Sequence, residues 1–165
     1  MKETIIQETK QYLTFKLGEE IFGVDVIQIR EILEYVKITK IPQTPDFMCG
    51  VINLRGSVVP VIDMRLKFGM GRIERTVNTC IVVLEIQFDD QKSYLGALVD
   101  SVQEVFELEP EDIEPAPKIG TRLKTEFIKG MGKKQDKFII LLEINKVFSF
   151  EELELVQSKV QESEG

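Results

Sequence analysis

Apolar and polar positions trade places every few residues along this chain, in short runs that stop at Gly or Pro. Gln11–Leu17 sets Tyr12, Phe15 and Leu17 among polar residues, the pattern of a half-buried strand, and Gly18-Glu19-Glu20 turns it into a second strand, Ile21–Val24. Val26, Ile29, Ile32 and Leu33 recur at i, i+3, i+6 and i+7, which predicts one face of a short helix with Glu31 off that face and exposed. Further strands are predicted near Val51–Leu54, Val58–Ile62, Thr79–Ile86, Ser93–Val99, Phe127–Met131 and Phe138–Ile144. Pro42 and Pro45 bracket a loop, and Gly69–Arg75 and Glu114–Thr121 read as mobile loops. Ser149 and Glu152 form an S-x-x-E capping box with Phe148 and Leu153 as its hydrophobic staple. Leu153, Val156 and Val160 continue that helix as one stripe, and Gln161–Gly165 read as its frayed end. Many short strands with few helices indicate small barrels or sandwiches.

The densest information lies in Gly50–Phe68, GVINLRGSVVPVIDMRLKF. β-Branched runs on either side of Asn53, Arg55 and Gly56 describe a hairpin with those residues at its turn. Two readings of Arg55 follow. It is an exposed turn residue beside a glycine that supplies positive φ, or it is a recognition residue held by rigid strands.

The chain also repeats itself. Gly23–Leu33, GVDVIQIREIL, lies over Gly96–Phe106, GALVDSVQEVF, matching Val26 with Val99, Ile29 with Val102, Glu31 with Glu104 and Ile32 with Val105. Phe47-x-x-Gly50 echoes Phe127-x-x-Gly130, and beyond it Val61 falls over Leu141, Asp63 over Glu143 and Phe68 over Phe148. Two matches in the same order indicate a duplication, hence two similar β subdomains with a pseudo-twofold relation and a cleft between them.

Composition narrows the chemistry. With 165 residues, 43% hydrophobic and 30% charged, the chain is long enough to bury a core without disulfides. Cys49 and Cys80 sit in apolar surroundings and read as core residues in a reducing compartment. No histidine is present, which removes the commonest general base and metal ligand. A net charge of −7 argues against binding a phosphate backbone or an anionic membrane surface. The apolar runs are too short to span a membrane and the N-terminus lacks the apolar region of a signal peptide, so cytoplasm is expected. The acidic stretch Glu107–Glu114 lacks EF-hand spacing, Lys118–Thr121 is no P-loop, and no Cys/His/Asp set has zinc spacing. No metal or cofactor is implied, and elimination favours an interaction module.

Four segments carry a family resemblance: GVDVIQIREIL, GVINLRGSVVPVIDMRLKF, LVDSVQEV at Leu98–Val105 and FIKGMG at Phe127–Gly132. Over roughly Gln11–Leu155 the chain resembles the CheW family of chemotaxis coupling (adaptor) proteins. The resemblance implies a mainly β fold of two SH3-like five-stranded β-barrel subdomains with a further apolar core between them. The first repeat would lie at about 20–68 and the second at about 93–148, with flexible tails at 1–10 and 161–165. It implies no catalysis. It implies a cytoplasmic adaptor, recruited to membrane receptor arrays, that bridges the tip of methyl-accepting chemoreceptors to the regulatory domain of the histidine kinase CheA, itself similar to CheW. The family's receptor-binding positions map to an apolar groove of Val26, Ile29, Val102 and Val105 and to polar Glu31, Asn53 and Arg55. The kinase-facing position carried over is Gly50, where a larger side chain would force a Cβ into a tight turn. Because the chain stops after its C-terminal helix, a free-standing adaptor is expected rather than one fused to a receiver domain.

Other functions make different demands. A nucleic-acid or other small ligand-binding β-barrel needs a basic or aromatic face, which −7 and the absence of Trp disfavour. A carboxylate enzyme needs an Asp or Glu perturbed in a cleft. A CheW-like scaffold for a non-chemotactic pathway differs only in its partners.

Overall fold

The computed structural model describes residues 8–115 and 124–164. Eleven strands are present: β1 Lys10–Leu17, β2 Glu20–Asp25, β3 Ile29–Glu34, β4 Met48–Leu54, β5 Ser57–Asp63, β6 Cys80–Phe88, β7 Gln91–Val99, β8 Ser101–Leu108, β9 Ile113–Glu114, β10 Ile128–Lys134 and β11 Lys137–Leu142. The helices are α1 Met64–Lys67, α2 Ile144–Val147 and α3 Phe150–Glu164. Two sheets form, in the orders β8-β1-β2-β11-β10-β9 and β3-β6-β7-β5-β4. They are the two SH3-like subdomains of a mainly β protein. The first carries two-residue β9 as a sixth strand beside the five expected.

The repeat is visible in the pairing. If β1, β2, β8, β11 and β10 are set against β6, β7, β3, β5 and β4, the two sheet orders coincide. Each sheet draws on both repeats: β2 pairs in parallel with β11, and β7 pairs in parallel with β5. Bulges recur at matching places, between Met48 and Gly50 on β4 and between Ile128 and Gly130 on β10. Strand alternation divides the core. Tyr12 turns toward Phe106, Leu108, Ile139 and Leu141 inside one subdomain, whereas Leu13, Phe15 and Leu17 join the larger cluster that reaches sheet two and α3. Phe15, Phe22, Phe68 and Phe127 run through this shared layer, with ring centroids 5.7–6.2 Å apart from one to the next.

Three expectations change. Val26–Leu33 is not a helix: Val26–Gln28 is one 3-10 turn, and β3 follows, paired to β6. The apparent helical stripe counted Ile32, which is 45% exposed on the outer face of a strand. Glu31 is half-buried rather than exposed. The matching stretch after Val99 is likewise a strand, β8. The chain from Gly69 to Thr79 is irregular but tethered: Ile73 is buried, its N–H donates to Asp63 Oδ2 at 2.9 Å, and Arg75 stacks on Tyr35 at 3.9 Å. The capping box is present, with Ser149 N–H donating to Glu152 Oε1 and Glu152 N–H to Ser149 Oγ, at 2.8 and 3.0 Å. From there α3 runs on to Glu164, and Leu153, Val156 and Val160 are all buried. Most of the loop expected at Glu114–Thr121 lies outside the described residues.

Candidate functional site

The β4–β5 hairpin closes with Leu54 opposite Ser57, leaving Arg55 and Gly56 as a two-residue turn at φ of 49° and 90°. Positive φ at both positions is the type I′ geometry that suits the twist of the flanking strands. Gly56 adopts it freely, and Asn53 steadies the turn by accepting the Gly56 N–H on Oδ1 at 2.9 Å. Asn53 therefore spends its oxygen on local structure while the residue stays exposed.

Arg55 reaches across to β3. Its two terminal nitrogens donate to the two carboxylate oxygens of Glu31, Nη1 to Oε2 at 3.2 Å and Nη2 to Oε1. The fork fixes the guanidinium plane although the Arg55 side chain is 72% exposed. Hydrogen bonding from Arg55 holds the Glu31 carboxyl below its ordinary range and, in return, raises Arg55. An exposed ion pair adds little stability, so what this pair supplies is orientation. The pair lines an open groove of about 260 Å³ with Leu54, Val83, Arg30 and Tyr94. Arg30 stacks on Tyr94 at 5.6 Å. Sequence reasoning missed Tyr94 and Arg30, because the register that brings β7 beside β6 and β3 is not written locally.

Val26, Ile29 and Val102 are half-buried and pack on the shared core, while Val105 is 49% exposed. Ile29 lies on β3, and Val102 and Val105 lie on β8; each is an outermost strand of its sheet. The structure thus joins Glu31, Asn53 and Arg55 at one hairpin and sets the four apolar positions on or beside the two equivalent edge strands.

Gly50 is not in a turn. It lies in β4 at φ 146°, buried, beneath the segment that bridges Thr39 to Val51. A Cβ there would come within 2.8 Å of the Thr39 carbonyl carbon, closer still to its oxygen, and 2.9 Å from Ile38 Cγ2. Among the described residues no group of three or more His, Cys, Asp or Glu is placed to hold a metal ion, and no helix is long and apolar enough to cross a membrane.

The family model of the CheW-like domain matches residues 11–152. The chain belongs to the CheW family. Chemotaxis protein CheW of Klebsiella aerogenes is 40% identical over 94% of this chain and 90% of its own length. A probable chemotaxis protein CheW of Rhizobium etli is 32% identical over 92% and 96%. The crystal structure of the scaffolding protein TtCheW from Thermoanaerobacter tengcongensis superposes with a TM-score of 0.77 at 38% identity, covering 88% of this chain and 96% of that one. This CheW-family chain is a chemotaxis adaptor, and the hairpin, the edge strands and Gly50 all fall inside the matched span.

Proposed function

We propose that this chain couples the cytoplasmic tips of methyl-accepting chemoreceptors to the regulatory domain of the histidine kinase CheA, in the cytoplasm and without turnover. The observation that carries the reading is the Glu31–Arg55 fork, which presents an oriented cation at a rigid turn beside edge strands bearing exposed or half-buried aliphatics. Apolar anchors with a polar rim suit a helical receptor tip. Val26, Ile29, Val102 and Val105 are the anchors, and Glu31, Asn53 and Arg55 are the rim. Gly50 serves the kinase side through the Ile38–Thr39 segment it supports, since its own position is buried.

The test is a pull-down from native extract with wild type and Arg55→Glu side by side, read by mass spectrometry. Wild type is expected to recover a chemoreceptor and a histidine kinase, and the variant to lose the receptor while keeping the kinase. Recovery of neither by wild type would overturn the coupling role.

A further inference from the structure

Ile27 is 81% exposed, yet the turn that carries it is held firmly. Asp25 caps that turn, its Oδ1 accepting the Ile27 N–H at 3.0 Å. The cap is itself anchored: Asp25 Oδ2 lies 3.6 Å from Lys10 Nζ and 3.9 Å from Lys129 Nζ, with only 13% of the Asp25 side chain exposed. Isolated surface aliphatics are ordinary and need no explanation. Ile27 differs in three ways. It stands between Val26 and Ile29, both assigned above to the receptor surface. It is displayed by a capped turn, so little conformational freedom remains to be lost on contact. Its counterpart in the second repeat is half-buried Asp100, whose carboxylate accepts the Gly18 N–H at 2.7 Å and pairs with Arg65 at 3.7 Å. One copy of the repeat spends this position on holding the fold together. The other leaves a large aliphatic outside, where the fold makes no use of it.

We infer that Ile27 is a further anchor of the receptor-binding surface, presented by the Asp25 cap to an apolar recess between helices of the receptor tip. The inference rests on the receptor reading above. Burial of one such side chain corresponds to roughly tenfold to a hundredfold in affinity.

The experiment measures binding of the full chain to a purified cytoplasmic-tip fragment of a chemoreceptor from the same organism, by calorimetry, for wild type, Ile27→Ser, Asp25→Ala, Asp25→Asn and Arg55→Glu. Binding to the kinase regulatory domain is measured in parallel, and urea midpoints confirm folding. Ile27→Ser is expected to lose about tenfold or more in receptor affinity with kinase affinity unchanged. Asp25→Ala is expected to lose receptor affinity too, and Asp25→Asn, whose Oδ1 can still accept the Ile27 N–H, to regain most of it. If Arg55→Glu binds receptor weakly while Ile27→Ser binds at wild-type strength, the inference is overturned and the receptor reading stands. If both variants bind at wild-type strength, or wild type does not bind the fragment, both fall.

Discussion

Gly23 and Gly96 occupy the same place in the two repeats: Gly23 faces Leu141 across the parallel β2–β11 pair, and Gly96 faces Val61 across the parallel β5–β7 pair. A Cβ at Gly23 would meet Ile139 Cγ2 at 2.9 Å and Leu141 Cδ2 at 3.0 Å; one at Gly96 would meet Ile81 Cγ2 at 2.9 Å. All three neighbours are fully buried, so none can step aside without disturbing the core. Gly23→Ala and Gly96→Ala are each expected to lower stability by about 1–3 kcal/mol, as overpacking does, despite the entropic advantage of Ala over Gly in a strand. Urea unfolding checks this, and a midpoint equal to wild type for either variant refutes it.

The Glu31–Arg55 pair gives a titration prediction. The Glu31 carboxyl is lowered in the folded chain, so the pair favours the folded state at pH above the ordinary value of 4.5 and loses that contribution as pH falls through the lowered value. NMR should show Glu31 titrating below 4.5 in wild type and moving back toward it in Arg55→Ala. A carboxyl that titrates alike in both proteins would mean the fork does not persist in solution.

Gly50 gives a prediction about mechanism. Its positive φ and the nearness of Thr39 make Gly50→Ala costly, on the order of 3 kcal/mol. The variant should also break the Thr39–Val51 bridge, whose two N–H···O bonds are 2.8 and 2.9 Å. Hydrogen exchange at these two amides should speed up, and kinase affinity should fall with it. Loss of kinase binding with both amides still protected would make Gly50 a direct contact instead.

Cys49 adds a dependence at high pH. Burial, helped by Asp63 and opposed by Arg72, pushes its thiol up to about 12. An unfolded thiol ionises near 8.5, so Cys49 stabilises the fold below that pH, and the contribution is lost as pH rises toward the folded value. From about pH 9 to 11 wild type should lose stability more steeply than Cys49→Ala, and native Cys49 should resist alkylation at about pH 8. Fast alkylation of the native protein there would contradict the burial.

Strands bounded by turn chemistry were legible in the sequence. The Arg55-Gly56 turn, the Ser149–Glu152 box and the run Val58–Ile62 each state their geometry within a few residues, and the hairpin and α3 stand where they were expected. What misled was Ile29–Leu33. Its local spacing fits a helix, but pairing with β6 and a bulge at Arg30 decide the outcome, and these depend on residues fifty positions away. The candidate site was legible to the same extent. Arg55 and Glu31 were singled out separately, but nothing local says that they touch, because the contact exists only once β3 and the hairpin share a sheet.

The sheet orders also bear on the history of each molecule as it is made. One sheet is assembled entirely from the continuous stretch Ile29–Val99, so it can close as soon as that stretch has emerged from the ribosome. Strands β1 and β2 precede that stretch, yet their other neighbours, β8 and β11, follow it. Until those strands arrive Tyr12 lacks its partners Phe106, Leu108, Ile139 and Leu141, whereas Leu13, Phe15 and Phe22 can already pack on the closed sheet, so the two faces of the first hairpin are covered at different times.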